Sequence, residues 1–400
     1  MSPLRPRLYD SVFERHLKHN RQMIFVAGPR QVGKTTSCRR LADTYLNMDD
    51  REHRNAVLAG PGSLSGLISS GHHSGGKPVA VLDELHKWRG WKRFLKGFFD
   101  VYGGRFRLVV TGSSRLDIYR RGGDSMMGRY FLYHMHPFSV GEVARHETPR
   151  SPIQAPVQIP ETEFRALWDH GGYPEPFIKR RAGFSRIWRN LAMHQLARED
   201  IRDVTGILEM SQIDSLVGLL AGLSSTRLSY KNLAEPLSTS AVTVKRWIAA
   251  LVALHYGFLL RPWHRRVTRS LVKEPKWHLR DWSGLQDQGA RAETFIACHL
   301  LKAVEGWTDL GMGDFGLYYL RDKEQREVDF LVVRDGAPWF LVEAKKGNGP
   351  LSPSLGYFQR LLGAHHAFQA VIDIPYEDSN CFLRKDPSIV SARTLLSQLL

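Results

Sequence analysis

QMIFVAGPRQVGKTTS, residues 22–37, decides the fold of the N-terminal part of this 400-residue chain. The apolar run QMIFVA is typical of a buried strand. GPRQVGKT, residues 28–35, matches the pattern of Gly, any four residues, Gly, Lys and Ser or Thr in full. Residues 34–43 have the pattern of a helix. A strand, a glycine-rich turn and a helix in this order predict a phosphate-binding loop.

Each residue type that the pattern specifies has a chemical reason. Gly28 and Gly33 let the backbone turn tightly and direct N–H groups at phosphate oxygens. Lys34 places its charge on the β and γ phosphates, and Thr35 offers a hydroxyl to Mg²⁺. Arg30 is placed to contact the nucleotide or a partner, and the sequence leaves both open. We therefore expect ATP and Mg²⁺ to bind the loop, with these contacting residues: Gly28, Pro29, Arg30, Gln31, Val32, Gly33, Lys34, Thr35 and Thr36.

Two acidic residues follow the next apolar strand, PVAVLDE at 78–84. In a phosphate-loop enzyme an aspartate at this point holds Mg²⁺, so Asp83 is predicted to act with Thr35. Glu84 is predicted to orient and deprotonate the attacking water. An Asp-Glu pair at a strand end also commonly caps a helix. Downstream of a complete phosphate loop, the catalytic role is favoured.

Polar residues end the following strand, RFRLVVTGSS at 105–114. Thr111 or Ser113 is predicted to sense the γ phosphate, and the alternative is an ordinary Ser/Gly turn. Arg115 and Arg129 are candidates for an arginine finger that completes the site of a neighbouring copy. Such a role predicts a homo-oligomer, for example a ring.

The fold class predicted for the N-terminal part is α/β. Apolar strands that alternate with helices imply a parallel five-stranded sheet covered by helices on both faces. Because single cores stop growing at about 250 residues, the chain is expected to contain two to four domains. The predicted domains are an ATPase domain at 1–150, a helical region at 151–220, a winged-helix-like domain at 221–285 and a second α/β domain at 286–400.

A second group of acidic residues lies near the C-terminus. Asp329 lies in the short motif EVDF, and Glu343 and Lys345 follow on the next predicted strand. Residues two apart on a strand face the same side, so Glu343 and Lys345 project together, and a hairpin brings Asp329 beside them. Two carboxylates can bind Mg²⁺, and a lysine can position water. Alternating charges on a solvent-facing strand give the same pattern. The sequence therefore leaves open whether this group cleaves nucleic acid.

The motifs occur along the chain in the order GPRQVGKTT, LDELHKWRGWKRFLK, VVTGSSRLD, GRYFLYHMHPFSVGE, GGYPEPF and EVDFLVVRDG. This series resembles the AAA-type ATPases of the AAA+ superfamily, found in bacteria and archaea, that carry a C-terminal domain of unknown function. The resemblance covers roughly residues 7 to 375. It implies a P-loop ATPase core, a winged-helix-like region and a C-terminal domain similar to the restriction-endonuclease-like PD-(D/E)xK fold. In that fold Glu293 stands where a further acid is often found.

Basic residues outnumber acidic ones by 56 to 40, which gives a formal charge of +16. This excess favours contact with DNA, duplex or branched, although a high-pI surface without a polyanion partner gives the same count. The segments 261–280 and 179–189 are rich in Lys and Arg. In the first of them, Trp263 and Trp277 are predicted to stack on exposed bases. Lys245 and Arg246 lie on the helix that a winged-helix unit presents to a groove.

The function favoured by the sequence is an ATPase that couples turnover to DNA binding or remodelling, as a motor, a helicase or a branch-migration enzyme, with nuclease activity left open. One alternative is a nucleotide-gated signalling or defence switch with slow turnover and a non-cleaving C-terminal domain. Another is an adaptor that does not hydrolyse nucleotide. The sequence contains no apolar run of about 18 residues, so no membrane span is predicted. Three isolated cysteines, Cys38, Cys298 and Cys381, predict the cytoplasm and argue against zinc.

Overall fold

The computed structural model describes residues 5–71, 76–88, 90–112, 126–195, 201, 209–264 and 274–400. The chain divides into two compact units. The first consists of Met1–His136 with His146–Thr148, and the second of Pro137–Arg145 with Pro149–Leu400. Within these described ranges, no helix combines the length and the apolar character that crossing a membrane requires.

The first unit contains a five-stranded sheet whose neighbouring strands are all parallel, in the order β2-β3-β4-β1-β5. This confirms the predicted α/β core with a parallel five-stranded sheet. The strands are β1 (Met23–Ala27), β2 (Thr44–Asn47), β3 (Val79–Asp83), β4 (Arg107–Thr111) and β5 (Tyr130–His134). The helices are α1 (Leu8–His19), α2 (Lys34–Arg39), α3 (Arg51–Leu58), α4 (Pro61–Ser69) and α5 (Trp91–Tyr102), with a 3₁₀ turn at Leu85–Lys87.

Helices cover both faces of this sheet. On one face Phe25, Leu82 and Val110 pack into a single apolar cluster with residues of α4 and α5. Alternate strand residues such as Val26 and Val81 are also fully buried, and they point to the other face, because successive strand side chains alternate. Helix α2 contacts β3 and β4. Because both faces of the sheet are buried, the sequences of the strands are continuous apolar runs.

Local signals shorten some predicted elements. The sequence TYLNMDD at 44–50 predicts a second strand, but that strand ends at Asn47. The Asp50 carboxylate instead caps α3 by accepting hydrogen bonds from the N–H groups of Glu52 and His53. Such a cap satisfies backbone donors that have no partner at a helix start, which outweighs extension of the strand.

The second unit contains a mixed eight-stranded sheet in the order β13-β12-β11-β10-β9-β7-β8-β6. Its strands are β6 (Thr226–Arg227), β7 (Gly257–Pro262), β8 (Lys276–Leu279), β9 (Phe315–Arg321), β10 (Glu327–Arg334), β11 (Ala337–Lys345), β12 (His366–Val371) and β13 (Ser388–Ser391). Its helices are α6 (Val140–Ala144), α7 (Glu161–His170), α8 (Pro174–Lys179), α9 (Ala182–Gln195), α10 (Met210–Gly222), α11 (Tyr230–Ala234), α12 (Ala241–Ala253), α13 (Gln288–Asp309), α14 (Pro353–Leu362) and α15 (Ala392–Ser397), with 3₁₀ turns at Trp282–Gly284 and Cys381–Leu383.

The middle of the second unit has its own apolar core. Strands β6 and β7 both pair antiparallel with β8, and helices α10, α11 and α12 pack against this small sheet. Leu216, Leu233, Trp247 and Trp277 are among the buried residues of the cluster. Ser229 and Ser240 cap α11 and α12 by accepting N–H hydrogen bonds in their first turns.

The C-terminal part joins an antiparallel meander to parallel strands. Strands β9, β10 and β11 are antiparallel, whereas β11, β12 and β13 are parallel. The sequence pattern at 352–368 predicts a single helix, and this prediction is wrong at its C-terminal end, because α14 stops at Leu362 and β12 begins at His366. Gly363 adopts φ of +66° directly after the helix, a left-handed conformation that commonly terminates helices at glycine.

Candidate functional site

The predicted phosphate loop lies directly after β1, at the carboxyl edge of the parallel sheet. Gly28 has φ of +147°, and a Cβ atom there would lie 2.3 Å from the carbonyl oxygen of Met135. Gly33 has φ of +102° and is the N-cap of α2. Both positions therefore need glycine, one for the close approach of another backbone segment and one for the turn into the helix.

Lys34 is held inside this loop. Its Nζ donates to the carbonyl oxygens of Gly28 at 2.8 Å and Pro29 at 2.7 Å, and the residue is 7% exposed. Burial lowers the pKa of Lys34 to about 8, although the negative charges of Glu84 and Asp83 act in the opposite direction. The ammonium is thus satisfied by weak neutral acceptors, which the more strongly attractive phosphate oxygens can replace.

Asp83, at the end of β3, accepts hydroxyl hydrogen bonds on both of its oxygens. Thr35 Oγ1 donates to Oδ2 at 2.9 Å, and Tyr45 Oη donates to the same oxygen at 2.6 Å. Thr111 Oγ1 donates to Oδ1. Asp83 is 2% exposed. The structure therefore brings the two predicted Mg²⁺ ligands, Thr35 and Asp83, into direct contact.

Glu84 occupies a rare backbone conformation next to this contact. Its φ is +59° and its ψ is +26°, which costs about 1–2 kcal/mol for a residue other than glycine. Its N–H donates to Thr111 Oγ1 at 3.4 Å. Its Oε2 lies 3.6 Å from Lys87 Nζ, and its side chain is 23% exposed. Strain of this kind is concentrated at functional sites, and the Glu84 side chain is partly exposed to water.

The other predicted site residues lie in different places. Thr111 contacts both acidic residues, whereas Ser113 and Arg115 lie outside the described residues. Arg129 forms a two-pronged ion pair with Asp100, at 2.8 and 2.9 Å. Its carbonyl oxygen accepts from Met23 N–H, at the start of β1. Because the loop follows the other end of β1, Arg129 lies at the opposite edge of the sheet from the loop of its own chain.

Two further contacts of the site are not indicated by any sequence motif. Tyr45 reaches Asp83 because β2 and β3 are adjacent and parallel, with Asn47 opposite Asp83. Arg7 is 5% exposed and donates to the carbonyl oxygens of Val32, at 2.5 Å, and His136, at 2.7 Å. The strand order is the signal that identifies Tyr45. No local pattern marks Arg7, which precedes its partner Val32 by 25 residues.

The second predicted group also comes together, on β10, β11 and α13. Asp329 Oδ2 accepts from the N–H of Ala344 at 3.0 Å. Lys345 Nζ donates to Glu343 Oε1 at 2.9 Å. Burial raises the pKa values of both Glu343 and Glu293. The negative charge of Asp329 raises both of them further. This shared influence of Asp329 places all four predicted residues in one cluster.

An unexpected cation lies in this cluster. Lys276 Nζ, on β8, is 3.0 Å from Glu293 Oε1, 3.2 Å from Asp329 Oδ1 and 2.5 Å from Glu327 Oε1. Burial acts to lower the pKa of Lys276, but the charges of Asp329, Glu293 and Glu327 outweigh burial and raise it. In the part of the chain that the structure describes, no group of three or more His, Cys, Asp or Glu side chains is arranged to hold a metal ion.

The same strand corrects one prediction about DNA. Trp277 was expected to stack on bases, but it is completely buried, and its Nε1 donates to the carbonyl oxygen of Leu220 at 3.1 Å. It belongs to the apolar core of the middle region. Trp263 is partly buried against another apolar cluster. Residues 265–273 of the basic segment lie outside the described residues.

Comparison with protein families agrees with the class that the sheet and the loop define. Residues 20–144 match the family described as AAA domain. Residues 161–287 match a domain of unknown function, DUF8612, and residues 288–380 match another, DUF4143. The N-terminal match supports a P-loop ATPase domain of the AAA type.

Individual relatives are distant. The uncharacterized protein Rv2008c of Mycobacterium tuberculosis and the uncharacterized protein Mb2031c of Mycobacterium bovis are each 23% identical over 348 residues, which cover 81% of this chain and 70% of theirs. The solved structure of C. elegans PCH-2 has 14% identity and a TM-score of 0.24, over 60% of this chain and 66% of that one. The crystal structure of the Pyrococcus furiosus Hef helicase domain has 15% identity and a TM-score of 0.18, over 74% of this chain and 73% of that one.

Proposed function

We propose that the first unit binds ATP with Mg²⁺ and hydrolyses it. The observation that carries this proposal is the contact of Thr35 Oγ1 with Asp83 Oδ2 at 2.9 Å, beside the buried Lys34. A hydroxyl and a carboxylate in contact at the end of a phosphate loop are a suitable donor set for Mg²⁺. On binding, Lys34 exchanges the carbonyl oxygens of Gly28 and Pro29 for phosphate oxygens.

In this proposal Glu84 holds the attacking water and accepts its proton. The water oxygen bonds to the γ phosphorus as the bond from that phosphorus to the bridging oxygen breaks, which releases ADP and phosphate. Thr111 orients the Asp83 carboxylate and the Glu84 backbone, because its hydroxyl donates to Asp83 and accepts from the Glu84 N–H. When bound, Mg²⁺ neutralises charge on the phosphate oxygens.

Hydrolysis of Mg·ATP by Glu84→Gln tests the assignment of the base. We expect turnover to fall by about a hundredfold or more, because proton acceptance is lost, while ATP binding persists. Glu52→Gln is the matched control, since Glu52 is an exposed acid on α3. Lys34→Ala should abolish nucleotide binding itself. Unchanged turnover in Glu84→Gln would contradict the proposal.

The proposal includes a homo-oligomer in which Arg129 completes the site of a neighbouring copy. The position of Arg129 at the far edge of its own sheet supports this, because any role in catalysis then needs a second chain. Arg129→Ala should lower turnover by about a thousandfold without loss of ATP binding, and the exposed Arg105→Ala should not. Two results together would contradict the proposed oligomer and the role of Arg129. They are a monomer in analytical ultracentrifugation under turnover conditions and normal activity of Arg129→Ala.

DNA is the partner that we propose for the middle region. The order α10, β6, α11, α12, β7, β8, with β6 and β7 flanking β8, is similar to that of a winged helix. On α12, Val244 and Trp247 are buried while Lys245 and Arg246 are exposed. A helix with one side in the core and cations on the other supports docking to phosphates and to a groove.

Fluorescence anisotropy with duplex, single-stranded and branched DNA tests this partner. The double variant Lys245→Glu/Arg246→Glu should bind about tenfold or more weakly at low salt, because cation–phosphate contacts become repulsive. The matched control is Arg15→Glu/Lys18→Glu, which makes the same charge change at exposed positions of α1. Equal losses in both variants would indicate nonspecific attraction and argue against a DNA-binding helix.

A nucleotide-gated switch is the second candidate, favoured by one observation. Lys276 lies among the carboxylates of the C-terminal cluster, which suits a domain that does not cleave. ATP turnover separates the candidates. DNA-stimulated hydrolysis supports the remodelling ATPase, and slow turnover with nucleotide-dependent assembly supports the switch. A complete lack of hydrolysis would instead leave an adaptor.

A further inference from the structure

The C-terminal carboxylate cluster carries nearly balanced charge. We define this cluster as Lys276, Glu293, Arg321, Glu327, Asp329, Glu343 and Lys345, which are linked by ion pairs and by the interaction of Asp329 with Glu343. Its four acids and three cations give a formal charge of −1. Without Lys276 the formal charge is −2, which matches the charge of one divalent cation. The ammonium of Lys276 is therefore decisive for what else the cluster can hold.

All three N–H groups of this ammonium have carboxylate acceptors. They are Glu293 Oε1 at 3.0 Å, Asp329 Oδ1 at 3.2 Å and Glu327 Oε1 at 2.5 Å. A lysine ammonium has three donors and no acceptor, so its hydrogen-bonding capacity is used in full. The Lys276 side chain is 5% exposed, which shows that it belongs to the interior of the cluster.

Few carboxylate oxygens are left for a metal ion. Asp329 Oδ2 accepts from Ala344 N–H, and Glu343 Oε1 accepts from Lys345. Glu343 Oε2 is buried and has no hydrogen-bond partner among the described residues. A Mg²⁺ ion needs oxygens at about 2.0–2.1 Å, so an ion shared by Asp329 and Glu343 has to take Asp329 Oδ1 from Lys276. The predicted ligand pair therefore does not fit a metal ion while Lys276 is in place.

The backbone fixes Lys276 at this position. In the sheet its Cα lies opposite Leu260 of β7 on one side and Arg227 of β6 on the other. The next residue, Trp277, is completely buried in the apolar core. Moving the ammonium far from the carboxylates thus requires a change in a strand that is paired on both sides.

We infer that Lys276 is the resident cation of this cluster and takes the place that a divalent metal ion needs. The domain keeps the Asp and Glu-x-Lys residues but holds no divalent ion with them. It therefore does not cleave nucleic acid by a metal-dependent route. Lysine supplies the positive charge that holds these buried acids close together.

Calorimetric titration of the nucleotide-free full-length chain with Mn²⁺ tests this inference. In the wild-type background Asp329→Asn should leave Mn²⁺ binding unchanged, whatever the first unit binds. Lys276→Met should gain one equivalent of Mn²⁺ per chain, and the added Asp329→Asn change should remove that equivalent. Lys323→Met is the control, because it deletes an exposed lysine in the turn between β9 and β10.

Each outcome supports or overturns the assignment of Lys276 as the resident cation. A Mn²⁺ site in the wild type that Asp329→Asn abolishes would overturn the inference, as would Mn²⁺-dependent DNA cleavage that Lys345→Ala abolishes. A folded Lys276→Met variant without a new site would also overturn it. If Lys276→Met is unfolded without metal, recovery of its thermal transition by Mn²⁺ supports the inference, and failure of Mn²⁺ to restore folding counts against it.

Discussion

The two acidic sites of the molecule surround their carboxylates with different partners. Asp83 accepts hydrogen bonds from three hydroxyls, those of Thr35, Tyr45 and Thr111. Asp329 instead contacts the ammonium of Lys276. Hydroxyls stabilise a carboxylate but leave its negative charge uncompensated, whereas an ammonium neutralises it. The first arrangement is ready for a cation that arrives with a ligand, and the second already contains its cation.

This difference shows why acidic residues alone are a weak indicator of metal chemistry. Both sites place a carboxylate at or near the end of a buried strand, and both have a lysine nearby. Lys34 is turned toward carbonyl oxygens of its own loop, but Lys276 is turned toward three carboxylates. The direction in which the lysine points distinguishes a nucleotide site from a closed structural network.

The largest effect is expected from removal of the buried cation. Lys276→Met should lower the free energy of unfolding of the second unit by about 3–5 kcal/mol without added metal, because buried carboxylates lose their partner. Lys345→Met should cost about 1 kcal/mol or less, since Lys345 is 45% exposed and solvent screens its pair with Glu343. Chemical denaturation monitored by tryptophan fluorescence measures both, and equal losses would refute the difference in burial as the cause.

The next effect separates the sites by activity. Asp83→Asn should lower ATP hydrolysis by at least about a hundredfold, because a preorganised charge is lost at the phosphates. Asp329→Asn should leave hydrolysis within about twofold of the wild type. Steady-state phosphate release at saturating Mg·ATP gives the comparison. A large loss in Asp329→Asn, with folding intact, would show that the second cluster takes part in turnover.

Much of the first site could be predicted because its residues are close in sequence. The loop at 28–35 is one local motif, and Asp83 and Glu84 follow an obvious apolar strand. Tyr45 could not be found in this way, since its contact depends on which strand lies beside β3. The same holds for Lys276, whose partner Asp329 lies 53 residues away along the chain. Its basic surroundings in the sequence suggested DNA contact, whereas strand pairing directs it inward.

The pH dependence of nucleotide affinity tests the state of Lys34. Its pKa is lowered to about 8 by burial, so the free protein loses this charge as pH rises through 8. The affinity for ATP should therefore be constant below about pH 7 and fall by about tenfold at pH 9. Lys34→Arg is the control, because arginine stays protonated in this range, and any binding that it retains should not change between pH 7 and 9. An equal decline in both proteins would assign the effect to another group.

The smallest effect is expected from one hydroxyl of the first site. Tyr45→Phe removes the donor 2.6 Å from Asp83 Oδ2 but leaves Thr35 and Thr111 in contact with that carboxylate. The free energy of unfolding of the first unit should fall by about 1–2 kcal/mol, because a hydrogen bond to a charged group is lost. Tyr102→Phe is the matched control, since Tyr102 packs against the apolar cluster with no side-chain hydrogen bond among the described residues. If both variants lose the same stability, ring packing rather than the Asp83 contact determines the contribution of Tyr45, and the hydroxyl shell around Asp83 reduces to its two threonines.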